Sequence, residues 1–276
     1  MGTGAFIYAS NYADYGLAGS GVLGPGAFVV FLLAKLIREV IYRSKNRSWV
    51  KPLRSSWFLE TGKVRWSSLV PLLGNMGANI GYTIVMTFAW RFADEAGLNQ
   101  GVISSLLSFA SVFNCVVFYC AFGEKVSKLH LIGVAFMFCG IACIGAAAAT
   151  QEEQEVLDVD GEISTGGRSS VMSGVLALVV GMGGPIVIST QHYIIRKFSR
   201  FYSGLDQAID AAPPQNLIFC FFLIPLSGEF TIGWNDIFIG LAAEGLMEMA
   251  RVLLSFGVEK GLAGPAQALM STHALW

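Results

Sequence analysis

Apolar runs of about 20 residues recur along the chain with short polar segments between them, and that spacing leaves few folds open. The runs lie at 24–42, 67–91, 100–122, 129–148, 171–196, 214–230 and 235–258, and an eighth begins near 264. A helix needs about 20 apolar residues to cross a hydrocarbon core, and most of these runs have that length. The 214–230 run is the weakest, its clean stretch LIFCFFLIPL being short and holding Pro225. Residues 1–23, rich in Gly and Ala, form at most a partial span.

Composition agrees with a bilayer as solvent. Charged residues make up 13% of the chain, against about 25% in an ordinary soluble domain. Too little polar surface is left to cover a globule in water. The fold expected is an all-α integral membrane protein, multi-pass, with the lipid bilayer as its first partner.

Several chemistries are excluded. A net charge of −1 offers no basic surface for nucleic acid. Cys115, Cys120, Cys139, Cys143 and Cys220 all lie in apolar runs without a CxxC pair, so they read as small packing residues. His130, His192 and His273 are isolated, and no metal spacing occurs. Gly19-x-Gly21-x-x-Gly24 matches a dinucleotide fingerprint in form, but no strand precedes it and Pro25 follows at once. With no Ser-His-Asp order and no P-loop, neither enzyme activity nor a cofactor is expected. The N-terminus lacks a basic n-region, and Phe6 breaks the myristoylation pattern.

The loops orient the chain. Arg43, Lys45, Arg47, Lys51, Arg54, Lys63 and Arg65 share one loop, and Lys125, Lys128, Arg196, Lys197, Arg200 and Lys260 fall on the same side of the span count. Alternate loops hold Arg91, Arg168 and the acidic run QEEQEVLDVDGE at 151–162. The positive-inside rule then makes the basic loops cytoplasmic. The sequon Asn46-Arg47-Ser48 lies in the most basic loop and is expected to stay unused.

An internal repeat refines the architecture. EAGLNQGVISSLLS (95–108) resembles EKGLAGPAQALMS (259–271), and in the preceding helices Ala78 and Gly81 fall opposite Ala242 and Gly245. The copies open the third and eighth spans, an odd offset, so the second enters the membrane from the other side. Inverted repeats of this kind place a substrate site near the midplane. Further, GVISSLLSFASVFNCVVFYCAFGEKVSKLHLIGVAFMFCGI (101–141) resembles the fourth and fifth helices of an EamA-like repeat of the drug/metabolite transporter superfamily. The likeness rests on the small-residue helix start, the Gly123-Glu124-Lys125-Val126-Ser127 turn and Leu131-Ile132-Gly133 with Gly140; SGVLALVVGMGGPIVISTQHYIIRKF (173–198) is similar to the first helix of a second repeat.

The resemblance implies ten helices in two inverted repeats that move small metabolites. Here about eight to ten spans are expected: a first repeat over 1–148, an acidic linker over 149–170 and a truncated second repeat over 171–276. A second copy of the chain or a partner subunit would complete the arrangement.

The candidate site lies within the spans. Glu244, Glu248 and Arg251 sit near the middle of 235–258, at spacings that share one helical face. Each buried charge costs about 3 kcal/mol on insertion scales, so that face should turn inward. Glu248 and Arg251 could neutralise each other as a structural pair, which leaves Glu244 as a coupling or substrate-cation site. Asn75, Asn79 and Tyr82 repeat the spacing on 67–91, as cavity lining or as interhelical hydrogen bonds. Gln191 and His192 sit either near the cavity or near the cytoplasmic end, and the depth of Gln267 and His273 is open. Gly77-x-x-x-Gly81 is expected to serve close helix packing, and snorkelling accounts for Lys35 and Arg38. Gly24-Pro25, Gly184-Pro185 and Gly264-Pro265 read as hinges, the first and third equally as helix starts. The function expected is transport of a small polar metabolite by alternating access, coupled to a proton or another cation. The alternative is a membrane-embedded structural or interaction subunit.

Overall fold

The computed structural model describes residues 16–46, 63–98, 100–124, 167–219 and 233–260, with isolated positions at 57, 59, 61, 128, 132, 133, 135, 136, 139, 140, 143 and 221. Among these residues the regular structure is entirely helical: α1 (Gly16–Asn46), α2 (Leu69–Glu95), α3 (Gln100–Leu106), α4 (Phe109–Phe122), α5 (Gly167–Phe198), α6 (Gly204–Ile218) and α7 (Trp234–Glu259). A 3-10 turn, Trp66–Ser68, leads into α2. Two helices, Trp66–Glu95 and Met172–Phe198, are long and apolar enough to cross a membrane. The 26-residue α7 is long enough but carries Asp236, Glu244, Glu248, Arg251 and Glu259.

The helix ends follow local chemistry. Gly97, at φ +71°, closes α2 in a left-handed turn. There Leu98 N–H donates to Ala93 O and Gly97 N–H to Asp94 O, a pairing only a residue free of Cβ strain adopts readily. Gly123, at φ +66°, ends α4 in the same conformation. The expected span over 100–122 is two helices, because the serine-rich turn between them takes tight bonds: Ser108 N–H to Ser105 O and Ser111 N–H to Ser108 O.

The central contact is α2 against α5, with α1 on α6 and α7, and α4 on α5. Met86, Ala89 and Ala93 of α2 pack with Ile103, Leu106, Leu107 and Ala177. Small residues set the approach. A Cβ on Gly184 would lie 2.8 Å from Met86 Sδ, and one on Gly74 2.8 Å from Ile194 Cδ1. The expected Gly77-Gly81 packing motif is not the contact: Gly77 has open space, and Gly81 meets only Val187 Cγ1 at 4.0 Å.

Two other expectations shift. α1 begins at Gly16, so Pro25 lies inside a helix and not at its start. α6 begins at Gly204, ten residues before the expected 214–230 run, and carries Pro213 and Pro214 within it. Its polar residues hid it from a hydropathy reading. Residues 129–131 and 144–148 of the fourth expected span and everything past Lys260, with Gln267 and His273 and nearly all of the second repeat copy, lie outside the described residues.

Beside its apolar cores the bundle buries a set of polar side chains and leaves many large apolar ones outside. Leu33, Leu36, Val179, Phe238, Met249 and Leu253 are exposed, while Ser68, Asn75, Asn114, His192, Gln207, Gln215 and Asn216 are buried. Trp66 and Trp234, at the starts of the α2 and α7 segments, are also exposed. Cys115, Cys120, Cys139 and Cys143 are free, and the last three are exposed, not packed.

A Cβ on Gly204 would meet the Ser255 carbonyl oxygen at 2.6 Å. Gly204→Ala is therefore expected to destabilise the chain by about 1–3 kcal/mol, because the α7 backbone must give way. Gly77→Ala is expected to be neutral or to gain up to about 1 kcal/mol of helix propensity. Thermal unfolding of both variants beside the parent chain reads the contrast.

Candidate functional site

The polar face foreseen on α2 is present, and three helices meet it or its neighbours. Asn75 is buried and donates to Pro71 O at 3.1 Å and to Gln207 Oε1 of α6 at 3.0 Å. One turn on, Asn79 Oδ1 accepts from Gln191 Nε2 of α5 at 3.2 Å. His192, next to Gln191, points to the other side of α5, where its Nδ1 lies 2.8 Å from Asn114 Nδ2 of α4. Gln207 closes the set by donating to Tyr202 O at 2.7 Å and Ile195 O at 3.3 Å.

These contacts divide the expected residues. Asn75 and His192 are 2% exposed and engaged between helices, the interhelical role weighed for Asn75. Tyr82, a further turn along α2, is half-buried and within electrostatic range of Arg251 on α7. The structure thus joins Asn75, Asn79 and Gln191 in contacts between α2, α5 and α6, with Tyr82 further along the same face of α2 and Arg251 within electrostatic range of it. Glu244 and Glu248 hold backbone positions in α7, but their side chains lie outside what is described.

A second layer was not foreseen. Asp206 and Asp210, one turn apart on α6, meet Lys35 and Arg38 of α1. Arg38 pairs with Asp206, and its Nη2 lies 3.5 Å from both Asp210 Oδ1 and Glu39 Oε1. Lys35 Nζ is 3.4 Å from Asp210 Oδ1. Trp57 Nε1 donates to Asp210 at 3.3 Å and Tyr202 O–H at 2.8 Å. Burial, then the charge and hydrogen bond of Asp210, push the Tyr202 phenol up, which keeps it a donor. Lys35 and Arg38, for which snorkelling was the expected account, meet carboxylates supplied by α6. At the same end Glu259 accepts from Gly204 N–H at 2.7 Å, and Arg196 bridges Glu259 O and, at 3.1 Å, Glu124.

α6 also carries the residues sequence reading passed over. Gln215 and Asn216 are buried, yet Gln215 Oε1 and both amide atoms of Asn216 have no hydrogen-bond partner. A usable signal existed. Ser203 with Asp206 three residues later is a helix-start pattern, and Ser203 Oγ does accept from Asp206 N–H at 3.1 Å. The Pro213-Pro214 pair concealed it.

An open cleft of about 160 Å³ runs between α4 and α5, lined by Phe113, Val117, Ile186, Ser189, Thr190 and Tyr193. Its hydroxyls are turned to carbonyls, Thr190 to Ile186 O and Ser189 to Ala110 O, so it suits apolar matter and not a polar solute. Among the described residues no group of three or more His, Cys, Asp or Glu could hold a metal ion.

In a double-mutant cycle of Asn79→Ala with Gln191→Ala, thermal unfolding is expected to give a coupling energy of about 0.6–1.7 kcal/mol. The cycle of Asn79→Ala with Thr190→Val, whose hydroxyl bonds its own helix, is expected to give a value near zero. No protein-family model, curated protein or solved structure matches the chain.

Proposed function

We propose that the chain is a multi-pass membrane transporter that moves a small polar metabolite by alternating access, with Glu244 coupling the movement to a proton or another cation. The observation that carries this reading is an apolar exterior around a set of buried polar side chains, together with unpartnered amide atoms at Gln215 and Asn216. An apolar exterior on α1, α2, α5 and α7 suits lipid, and the exposed Trp66 and Trp234 suit its interfaces. Buried amide atoms without partners are costly in a dry interior, so a polar solute or water there would relieve them.

The inverted-repeat arrangement of eight to ten spans, with basic loops cytoplasmic, belongs to the same proposal. Its support is directional. Asn75, near the start of α2, meets Gln207, while Glu259, at the end of α7, meets Gly204 three residues before Gln207. α2 and α7 therefore run in opposite directions, as inverted copies would.

The second reading, a membrane-embedded structural or interaction subunit, is favoured by the satisfied pairs Asn75–Gln207 and Asn114–His192, which suit static packing. Reconstituted vesicles separate the two. The expected outcome is uptake of at least one small polar solute above protein-free vesicles, dependent on an imposed pH gradient and reduced about tenfold or more by Arg251→Gln. In Glu244→Gln the dependence on the gradient is expected to vanish. Full pH-dependent uptake in Glu244→Gln removes the coupling role, and no uptake across a broad panel of metabolites leaves the structural reading.

A further inference from the structure

We propose that α1 is a lid latched over an interior polar site, with Lys35 and Arg38 as the latch, Asp206 and Asp210 as its keeper, and Asn216 beneath. The inference deepens the transport reading and rests on it.

α1 lies along one face of α6. Phe31, 1% exposed, packs with Ile209 and Ala212 of α6, and Leu205 and Val252 adjoin them. Ile209, Ala212 and Asn216 follow at i, i+3 and i+7 and so share that face. The first two are covered by α1, and the third has both amide atoms buried and unpartnered. What closes over Ile209 and Ala212 therefore closes the approach to Asn216 from the same side.

The fastening is of a kind that can be undone. Lys35, Arg38, Asp206 and Asp210 keep side-chain exposures of 38, 17, 25 and 9%, so the cluster is open on its Lys35 and Asp206 side and is not sealed in the core. Partly exposed ion pairs contribute modestly one by one, which suits a contact that must break and re-form. α6 itself is held elsewhere, through Gln207 to α2 and through Gly204 to α7. α1 packs on α7 as well as on α6, so opening moves its residues 31–38 off both, and Pro25 within it has no N–H for the carbonyl one turn back. Beyond the latch, Pro213 and Pro214 likewise lack the N–H groups that would bond Ile209 O and Asp210 O, which separates the fastened turns of α6 from Gln215 and Asn216.

The experiment places a reporter thiol at Ala212, 5% exposed beneath Phe31, and follows its reaction with a membrane-impermeant maleimide in vesicles by peptide mass spectrometry. A control thiol replaces Ala89, fully buried between α2 and α5. Arg38→Gln is expected to speed labelling at Ala212→Cys by about tenfold, the factor a 1.4 kcal/mol change in the closed population gives, and to leave Ala89→Cys slow. Exchanging the pair, Arg38→Asp with Asp206→Arg, is expected to return labelling toward the starting rate. Unchanged labelling at Ala212→Cys in Arg38→Gln overturns the lid, and so does equal acceleration at both thiols, which would mean general loosening. Labelling needs no solute, so a lid that opens in a protein that moves nothing would count against transport alone.

Discussion

Everything in the bundle hangs on how closely α2 and α5 approach. A Cβ on Gly74 or Gly184 would lie 2.8 Å from Ile194 Cδ1 or Met86 Sδ, and one on Gly183 3.2 Å from Val85 Cγ1, so larger residues there would push the two helices' side chains aside. At that separation short amides such as Asn79 and Gln191 reach across, which longer spacing would forbid. α4 then docks on the far side of α5 through Asn114 and His192. α6 docks through Gln207 and presents its carboxylates to α1. The order of dependence runs from glycine, to amide, to ion pair.

Such a design fits a chain for which water supplies little of the drive to bring helices together. With Leu33, Val179, Phe238 and Leu253 turned outward, apolar area contributes less to association than it would in a soluble bundle. Close packing and hydrogen bonds take its place. The threonines show the same economy. Thr83, Thr87 and Thr190 bond the carbonyl four residues back in their own helix, so each hydroxyl is satisfied wherever its helix faces.

α2, α5 and α7 were legible in the sequence almost to their ends, at 67–91, 171–196 and 235–258 against Leu69–Glu95, Gly167–Phe198 and Trp234–Glu259. Long apolar runs bounded by charge leave little choice. The face of Asn75, Asn79 and Tyr82 was legible too, because a period of 3.6 is a local property. Its partners were not. Gln207 lies 132 residues from Asn75, and Gln191 lies 112 from Asn79, and nothing local encodes such a meeting. α6 was missed for a deeper reason. A helix buried by its polar residues inverts the usual pattern: Asp206, Gln207 and Asp210 read as loop, and Gln215 and Asn216 as the start of the weakest apolar run. With α6 invisible, Lys35 and Arg38 had no acids to meet, and solvent was the remaining account of them.

The two polar layers differ in electrical character, and that has a consequence. Asn75–Gln207 and Asn79–Gln191 are neutral amide pairs, which carry no net charge for an ion atmosphere to screen. The cluster of Lys35, Arg38, Asp206 and Asp210 is made of full charges and is partly exposed. Ionic strength therefore acts on one end of the molecule and passes over its middle. A rise in salt weakens the fastening of α1 more than it does the neutral α2–α5 pairs, so the medium itself can address one part of the bundle and spare the frame that holds it.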